Sequence, residues 1–388
     1  MSGSVCVLKN VRLVDSEKRL VENTDVLFSA RTKTASSKIL AVGQDVVLDQ
    51  DQPVKLYSGG SRLFCRAFVD TASYICNRGT SRYGENYVSA AQAAQAGGFA
   101  TVTLMPTPTC PFDTPAAVSA LMRDTRTLDV QFLAVASIAV GERGKYRFPD
   151  YAELKKAGAV ALSTVEKKRL PPEYMLEAMC RAKEADMTVY CPVSGNSFSD
   201  MGAVNEGRIA KLLGLSGIPK CGELLSVTES VLLAQQSGCR VHIPVISLAE
   251  SVSYIRAAKE KGVPVTCGTA PQYFSLTEDD LIFRGVNAKL DPPLRTQADR
   301  AAIVEGLYDG TIDCITGDHR PCTKEEKGSK IATGAFGAAG LETAFAAGFT
   351  YLVLPGKLDL FTLIDKMSSA PAKILGIPTK PQVGPNIL

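Results

Sequence analysis

Histidine is scarce in this chain, with only His242 and His319 among its 388 residues. A site that needs several imidazole ligands cannot be assembled from two histidines. The chain also lacks a block of basic residues, and its 43 lysines and arginines against 40 aspartates and glutamates leave a net charge of only +3. Such a charge distribution does not predict a nucleic-acid partner.

Long apolar runs are absent as well. No run approaches the ~20 residues that span a bilayer, and the N-terminal stretch MSGSVCVLKN has neither a charged leader nor a long apolar core. The eleven cysteines form no CxxC pair and have no regular spacing. Scattered cysteines in odd number predict free, buried thiols in a reducing compartment. We therefore expect a cytoplasmic protein with no membrane association.

The composition that remains is that of a soluble globular protein: 45% of the residues are hydrophobic, and glycine and proline occur 32 and 21 times. Short apolar runs with polar or glycine boundaries predict strands at Val5–Leu13, Val26–Phe28 and Lys38–Val42. These runs predict a small β accessory domain over residues 1–60. Residues 379–388 are candidates for a further part of this domain.

From Leu63 onward the pattern repeats strand, loop and helix. Amphipathic stretches separate the apolar runs, for example at Val88–Ala96, Pro115–Asp124, Pro172–Ala185 and Leu248–Lys261. Eight apolar runs are candidate strands: Leu63–Val69, Ala100–Leu104, Val130–Ala136, Ala159–Leu162, Thr188–Cys191, Arg240–Ile246, Val263–Cys267 and Ile312–Thr316. Eight strands alternating with helices predict a (β/α)₈ barrel over residues 61–378, with any site at the carboxyl ends of the strands.

Several collinear stretches resemble the dihydroorotases of the amidohydrolase superfamily. They cover nearly the whole chain and comprise Ala94–Asp113, Val241–Cys267, Leu290–Pro321, Glu325–Lys330, Ala338–Phe345 and Ser368–Pro378. The second reads VHIPVISLAESVSYIRAAKEKGVPVTC, and the third contains LDPPLRTQADR and TIDCITGDHRP. The resemblance implies an amidohydrolase barrel that interconverts carbamoyl aspartate and dihydroorotate at a zinc centre that activates water.

The family takes its zinc ligands from five strands, and most are replaced in this chain. Its His-x-His pair lies on one face of strand one, because residues two apart on a strand share a face. Five of the six ligand positions carry other residues here: Ala72, Tyr74, Thr164, Cys191 (or Pro192) and Val245. Only Asp318, after strand eight, matches. Glu166 or Lys167 could replace the ligand at Thr164 only with a rebuilt loop.

The substrate-binding positions that the resemblance implies have diverged in the same way. The family's arginine aligns with Cys76, with Arg78 two residues further on, and the other replaced positions are Thr107, Gln272, Tyr273 and Asp291. His319 matches the family's substrate-contacting histidine. His242 precedes the strand-six ligand position by three residues, so it faces the other way and is expected to be a satisfied core histidine.

Each retained or substituted group has two interpretations. Asp318 is a general base or a structural carboxylate paired with Arg78, Arg82 or Arg320; we favour the structural role because no metal centre remains to activate water. His319 is a hydrogen-bonded structural residue or a ligand contact. Tyr74 is an acid or, as we favour, a ring that fills the space of the absent metals.

A sulfur site is the remaining metal hypothesis. Cys76, Cys191 and Cys267 lie near strand ends and could join Asp318 in a four-ligand zinc site. The alternative, which we favour, is that these cysteines are small apolar side chains.

We therefore predict a dihydroorotase-like pseudoenzyme without cofactor, in which Asp318 and His319 are vestigial. By family analogy the barrel serves as a noncatalytic subunit or scaffold for aspartate carbamoyltransferase in pyrimidine biosynthesis, and a homo-oligomer is also possible. Two alternatives stay open: a functional dihydroorotase or related cyclic-amide hydrolase with an atypical site, and a small-molecule binding protein that uses the emptied pocket.

Overall fold

The computed structural model describes residues 5–29, 39–44, 54–60, 62–75, 85–142, 145–166, 169–194 and 198–378 of the chain. Within these ranges, no helix combines the length and the apolar character needed to cross a membrane.

The N-terminal residues form a separate sheet. Its five strands are β1 (Val5–Asp15), β2 (Leu20–Ser29), β3 (Ile39–Gly43), β4 (Val54–Ser58) and β5 (Leu63–Phe64). The sheet order is β3-β2-β1-β4, and β5 also pairs with β1. Side chains from β1 and β2 form its small core: Cys6, Leu8, Val11, Val26 and Phe28. The predicted strands in this region are confirmed where the residues are described, while the domain division at residue 60 stays a prediction.

Twelve further strands follow in the described part of the chain. They are β6 (Phe68–Ser73), β7 (Phe99–Leu104), β8 (Gln131–Ser137), β9 (Val140–Glu142), β10 (Lys145–Arg147), β11 (Ala159–Ser163), β12 (Thr188–Tyr190), β13 (Val204–Asn205), β14 (Gly217–Ile218), β15 (Val241–Ile243), β16 (Val265–Thr269) and β17 (Cys314–Ile315). Eight of them form one parallel sheet in the order β6-β7-β8-β11-β12-β15-β16-β17.

The first and last strands of this sheet meet. The amide of Tyr74 donates to the carbonyl oxygen of His319 at 2.8 Å, and Ser73 forms a parallel bridge with His319. With helices outside, the sheet is the predicted (β/α)₈ barrel, which is confirmed.

The start of the first barrel strand is a correction. The sequence predicts one strand over Leu63–Val69, but Leu63 and Phe64 form β5 and pair with Arg12 and Leu13 of β1. The barrel strand β6 begins only at Phe68. An apolar run that continues through a chain reversal cannot be divided by composition alone.

Fourteen α-helices lie in the described residues. They are α1 (Tyr87–Ala96), α2 (Pro115–Thr125), α3 (Tyr151–Lys156), α4 (Pro172–Glu184), α5 (Arg208–Leu212), α6 (Cys221–Ser237), α7 (Ala249–Glu260), α8 (Pro271–Ser275), α9 (Leu281–Arg284), α10 (Gln297–Tyr308), α11 (Lys324–Lys327), α12 (Ala344–Gly348), α13 (Leu360–Met367) and α14 (Ser369–Leu375). The four predicted helices are confirmed as α1, α2, α4 and α7. The start of α2 follows from the sequence: Thr114 accepts from the amide of Ala117 just before Pro115, which suits a first helical position.

The barrel strands have two apolar faces. Outward side chains such as Val102, Leu104 and Val189 pack against the helices in the main core. Inward side chains, with Val135 and Tyr190 among them, fill the barrel interior. Burial on both faces is what parallel sheets require, and it explains why the strands are continuous apolar runs.

Residues 198–218 form a segment that we call the cover segment. It carries β13, α5 and β14, and its Ala203 and Val204 pack on Val245 and Tyr273, which follow β15 and β16. The segment therefore lies over part of the carboxyl end of the barrel. The sequence analysis does not predict it, because strands of two residues leave no periodic pattern.

The cysteines only partly follow the prediction of free, buried thiols. Nine are free within the described ranges, but Cys180 and Cys221 are exposed. Cys110 is disulfide-bonded, so the prediction of uniformly free thiols is wrong at that position. Cys110 lies in the loop after β7.

Candidate functional site

Asp318 lies at the carboxyl end of β17, buried and fully engaged. Its Oδ1 accepts from Nε of Arg320 at 3.2 Å, and its Oδ2 accepts from Nε2 of Gln272 at 2.9 Å. Arg320 is one of the three arginines that the sequence names as partners for this carboxylate. The other two, Arg78 and Arg82, lie outside the described residues.

The guanidinium of Arg320 occupies the centre of the barrel mouth, by which we mean the carboxyl ends of β6, β12 and β17. Its central carbon lies 3.8 Å from the ring centroid of Tyr74, a cation–π contact. Its Nη2 donates to Oγ of Ser194 at 2.8 Å. Tyr74 is buried and is the stacking surface for a buried cation, while the role of its ring in filling the space of the absent metals stays a prediction.

The ionisation of this cluster follows from its burial. Desolvation raises the pKa of Asp318 to about 6, because it outweighs the lowering by Arg320. Desolvation also raises the pKa of the Tyr74 phenol to about 12. At neutral pH the cluster consists of a guanidinium between a neutral phenol and a largely ionised carboxylate.

His319 is turned away from the pocket and belongs to the barrel closure. Its Nε2 donates to the carboxylate of Glu85 at 2.5 Å, and its Nδ1 accepts from the amide of Gly340 at 3.1 Å. Both ring nitrogens are thus used inside the protein. This arrangement agrees with the structural interpretation of His319.

The remaining family ligand positions carry side chains with little capacity for a metal. Ala72 is buried, and its amide donates to Oγ1 of Thr316. Val245 packs in an apolar cluster under the cover segment. Thr164 and Cys191 line a pocket, and burial raises the pKa of the Cys191 thiol to about 12, so it is a neutral thiol at neutral pH.

The structure does not assemble the proposed thiolate site. Cys191 is buried close to Ser230 of α6, whereas Sγ of Cys267 donates to the carbonyl of Thr311 at 3.3 Å. Cys76 lies outside the described residues. No group of three or more histidine, cysteine, aspartate or glutamate side chains in the described part of the chain could hold a metal ion. The zinc centre that the family resemblance implies does not fit the residues present.

The pocket beside Tyr74 has a volume of about 700 Å³, counting its open mouth. It extends from the barrel mouth between α4 and α6, and its lining combines apolar side chains such as Met105 and Met179 with polar ones such as Ser194 and Ser230. Arg169, at its rim, forms an ion pair with Glu229, so these two charged groups of the lining are already paired with each other.

The positions of the family's other substrate contacts also serve internal hydrogen bonds. Oγ1 of Thr107 accepts from the amide of Cys110 at 3.1 Å, and Oδ1 of Asp291 accepts from Oγ of Ser199 at 3.0 Å. The hydroxyl of Tyr273 donates to the carbonyl of Pro292 at 2.7 Å.

Sequence reasoning missed the role of Asp70. This fully buried carboxylate accepts from Oγ1 of Thr316 at 2.6 Å, from the amide of Gly317 at 2.6 Å and from Oγ of Ser73 at 2.7 Å. It joins β6 to the end of β17. The signal was available: a charged residue that ends an apolar strand run is buried only when it has partners.

Residues 65–251 match the Dihydro-orotase-like family. A dihydroorotase from Caldicellulosiruptor saccharolyticus is 32% identical over 383 residues, covering 98% of this chain and 86% of that protein. One from Desulfotalea psychrophila is 39% identical over 295 residues, covering 76% and 70%. The chain belongs to the dihydroorotase family.

Solved structures extend the likeness to the fold. An L-hydantoinase (dihydropyrimidinase) from Arthrobacter aurescens superposes with a TM-score of 0.80 at 22% identity, over 98% of this chain and 85% of that one. A dihydropyrimidinase from Brevibacillus agri gives 0.78 at 19% identity, over 98% and 83%. At such identities the likeness establishes the amidohydrolase barrel of this dihydroorotase family member and no more.

Proposed function

We propose that this chain is a noncatalytic member of the dihydroorotase family. The observation that carries the proposal is Arg320, whose guanidinium is stacked on Tyr74 and paired with Asp318. Zinc needs about four nitrogen, oxygen or sulfur ligands with one position open. Here hydrocarbon stands at Ala72 and Val245, and a fixed positive charge lies beside the one matching ligand.

The groups that could act without a metal are already occupied. A general base must lie within hydrogen-bond reach of the water that it activates, and contacts inside the protein compete with that water. Both oxygens of Asp318 and both ring nitrogens of His319 have partners inside the protein. This supports a retained barrel without turnover.

A second candidate function is an active dihydroorotase, or a related cyclic-amide hydrolase with an atypical site. The comparisons favour it, because relatives with 32–39% identity carry the name dihydroorotase. It requires a catalytic arrangement other than the one that the family resemblance implies. The pocket beside Tyr74 supports a third role, binding of a small molecule.

The proposed role of a noncatalytic barrel is assembly with aspartate carbamoyltransferase, in the pathway that dihydroorotase serves. This part of the proposal rests on family analogy. Fold does not fix function, so a barrel can be retained for its surface. The small net charge suggests that packing, more than long-range attraction, would hold such a complex, over an interface of at least ~1,000 Å².

Co-expression with the aspartate carbamoyltransferase of the same organism tests the proposal. We expect the two chains to co-elute in equal numbers at high salt, and the complex to show no ring opening of dihydroorotate with or without added zinc. Asp318→Ala should leave that result unchanged.

Two outcomes would contradict the proposal. Ring opening by the unmodified chain that disappears in Asp318→Ala would establish the second candidate. Separate elution, with the carbamoyltransferase rate unchanged by adding this chain, would exclude the scaffold role and favour the small-molecule binder.

A further inference from the structure

Three side chains surround the guanidinium of Arg320 on different sides. The ring of Tyr74 covers one face at 3.8 Å, Asp318 accepts from Nε at 3.2 Å, and Oγ of Ser194 accepts from Nη2 at 2.8 Å. Tyr74, Asp318 and Arg320 itself are each more than nine-tenths buried. We call Tyr74, Ser194 and Asp318 the guanidinium cage.

The three members of the cage come from distant parts of the barrel. Tyr74 follows β6, Ser194 follows β12, and Asp318 follows β17. One guanidinium therefore connects the ends of the first, fifth and eighth strands of the barrel across its mouth.

The backbone of Arg320 is held in place independently of its side chain. Its amide donates to the carbonyl of Ala338 at 2.8 Å. Gly337 has φ +121° and approaches so closely that a Cβ there would lie 2.5 Å from the carbonyl oxygen of Arg320. The main chain would thus keep its path if the side chain of Arg320 were shortened.

The chemistry of the cage suits a planar guanidinium. An aromatic face binds the flat delocalised cation, and in-plane oxygens accept its N–H groups, whereas an ammonium group lacks both the plane and the fork of donors. Glu166 and Asp291 also lie close enough to favour the positive charge of Arg320. Without that side chain, the mouth would be an acidic pocket with an aromatic wall.

We propose that the barrel mouth is a guanidinium-binding site whose resident ligand is Arg320 of the same chain, and that the cage binds a free alkylguanidinium when this side chain is removed. The inference goes beyond the proposed function, since it concerns what occupies the mouth and not whether the chain assembles with a partner. It also predicts that the closed barrel depends on this internal cation for part of its stability.

The test is Arg320→Ala with methylguanidinium as the probe. The variant should unfold roughly 5–10 °C below the wild type, because it leaves a buried carboxylate without its cation. Millimolar methylguanidinium should recover part of that loss and bind the variant measurably by calorimetry. Methylammonium, which has no planar fork, should do neither.

Arg181→Ala is the matched control. Arg181 also stacks on a ring, that of Phe148 at 4.7 Å, and pairs with the carboxylate of Glu177, but its side chain is half exposed. Methylguanidinium should leave the melting temperatures of this variant and of the wild type unchanged. Arg320→Ala that neither binds methylguanidinium nor gains stability from it would overturn the proposal.

Arg320→Lys keeps the test decisive if the alanine variant does not fold. It retains the charge and loses the plane, so it should melt several degrees below the wild type. A lysine variant as stable as the wild type would show that the mouth needs only a positive charge, and the guanidinium site would be excluded. None of these measurements depends on turnover or on carbamoyltransferase. Failure of this proposal can therefore be distinguished from failure of the proposed function.

Discussion

His242 points into the barrel interior, where its ring lies 4.7 Å from that of Tyr190. Its Nδ1 is 2.9 Å from Oγ1 of Thr266, but its Nε2 has no hydrogen-bond partner among the described residues. It is a core histidine as predicted, although not a fully satisfied one. Burial, with a smaller effect of Lys259, lowers the pKa of His242 to about 3.

This shift makes the free energy of unfolding fall as the pH is lowered. The unfolded chain protonates His242 near its ordinary pKa of 6.5, whereas the folded chain does so only near 3. Between these values the unfolded state binds more protons, so stability is complete above pH 6.5 and is lost as the pH falls toward 3.

We predict that His242→Gln, which cannot titrate, is less stable than the wild type at pH 7, and that this difference in the free energy of unfolding shrinks by about 3 kcal/mol at pH 4. It shrinks because the wild type loses ~1.4 kcal/mol per pH unit over most of this range. Urea unfolding at several pH values measures the difference. A deficit that stays constant over this range would show that the folded protein accepts the proton at no cost.

At the scale of elements, a buried arginine adds a polar connection between the cover segment and the barrel. Nη1 of Arg295 donates to Asn205 of β13 at 2.6 Å, and its Nη2 pairs with Glu223 of α6 at 3.3 Å. Asn205 in turn donates to Glu278 at 2.6 Å. The network joins the cover segment, α6 and the loop after α8 through fully desolvated groups.

Arg295→Met removes this connection while keeping a side chain of similar length. We predict a loss of up to about 3–5 kcal/mol in the free energy of unfolding, because Glu223 loses its buried cationic partner and keeps only neutral hydrogen-bond donors from Ser247, Leu248 and Ser251. Denaturant unfolding measures the loss, and limited proteolysis should cut within residues 199–218 sooner than in the wild type.

Arg208→Met is the matched control, since Arg208 lies in the same cover segment and pairs with Asp279 at the surface. An exposed pair contributes ~0–1 kcal/mol. Equal effects of the two substitutions would show that burial of the Arg295 network does not add to its contribution.

The elements also show what composition can and cannot predict. The barrel strands were predictable because each is a continuous apolar run covered on both faces. The ends of these strands were less predictable. The apolar run Arg240–Ile246 contains only the strand Val241–Ile243, because Pro244 has no N–H to donate to a neighbouring strand. The cover segment was not predictable, because its strands are two residues long and its anchoring groups are far apart in the sequence.

The same limit applies to the candidate site. The family comparison could name Asp318 and three possible arginine partners. It could not choose Arg320, because the choice depends on where Tyr74 and Ser194 meet in space. The hydrogen bonds of Asp70 to Thr316 and of His319 to Glu85 likewise depend on the last barrel strand lying beside the first.

At the scale of the whole molecule, a barrel of the dihydroorotase family carries side chains at its mouth that differ from the ligands that the family resemblance implies. The alignment with one protein named dihydroorotase covers 98% of the chain, at 32% identity. Yet the family's ligand positions hold alanine, tyrosine, threonine, cysteine and valine, and a guanidinium pairs with the one that matches. We propose that the barrel mouth does not bind a zinc ion.

Elemental analysis of the purified chain tests that claim most directly. Loss of even one supporting partner typically weakens metal binding ~10–100-fold, and here five ligand positions are replaced. After expression with added zinc and extensive desalting, the protein should retain well under one zinc ion per chain. One or two tightly bound zinc ions per chain would contradict the account.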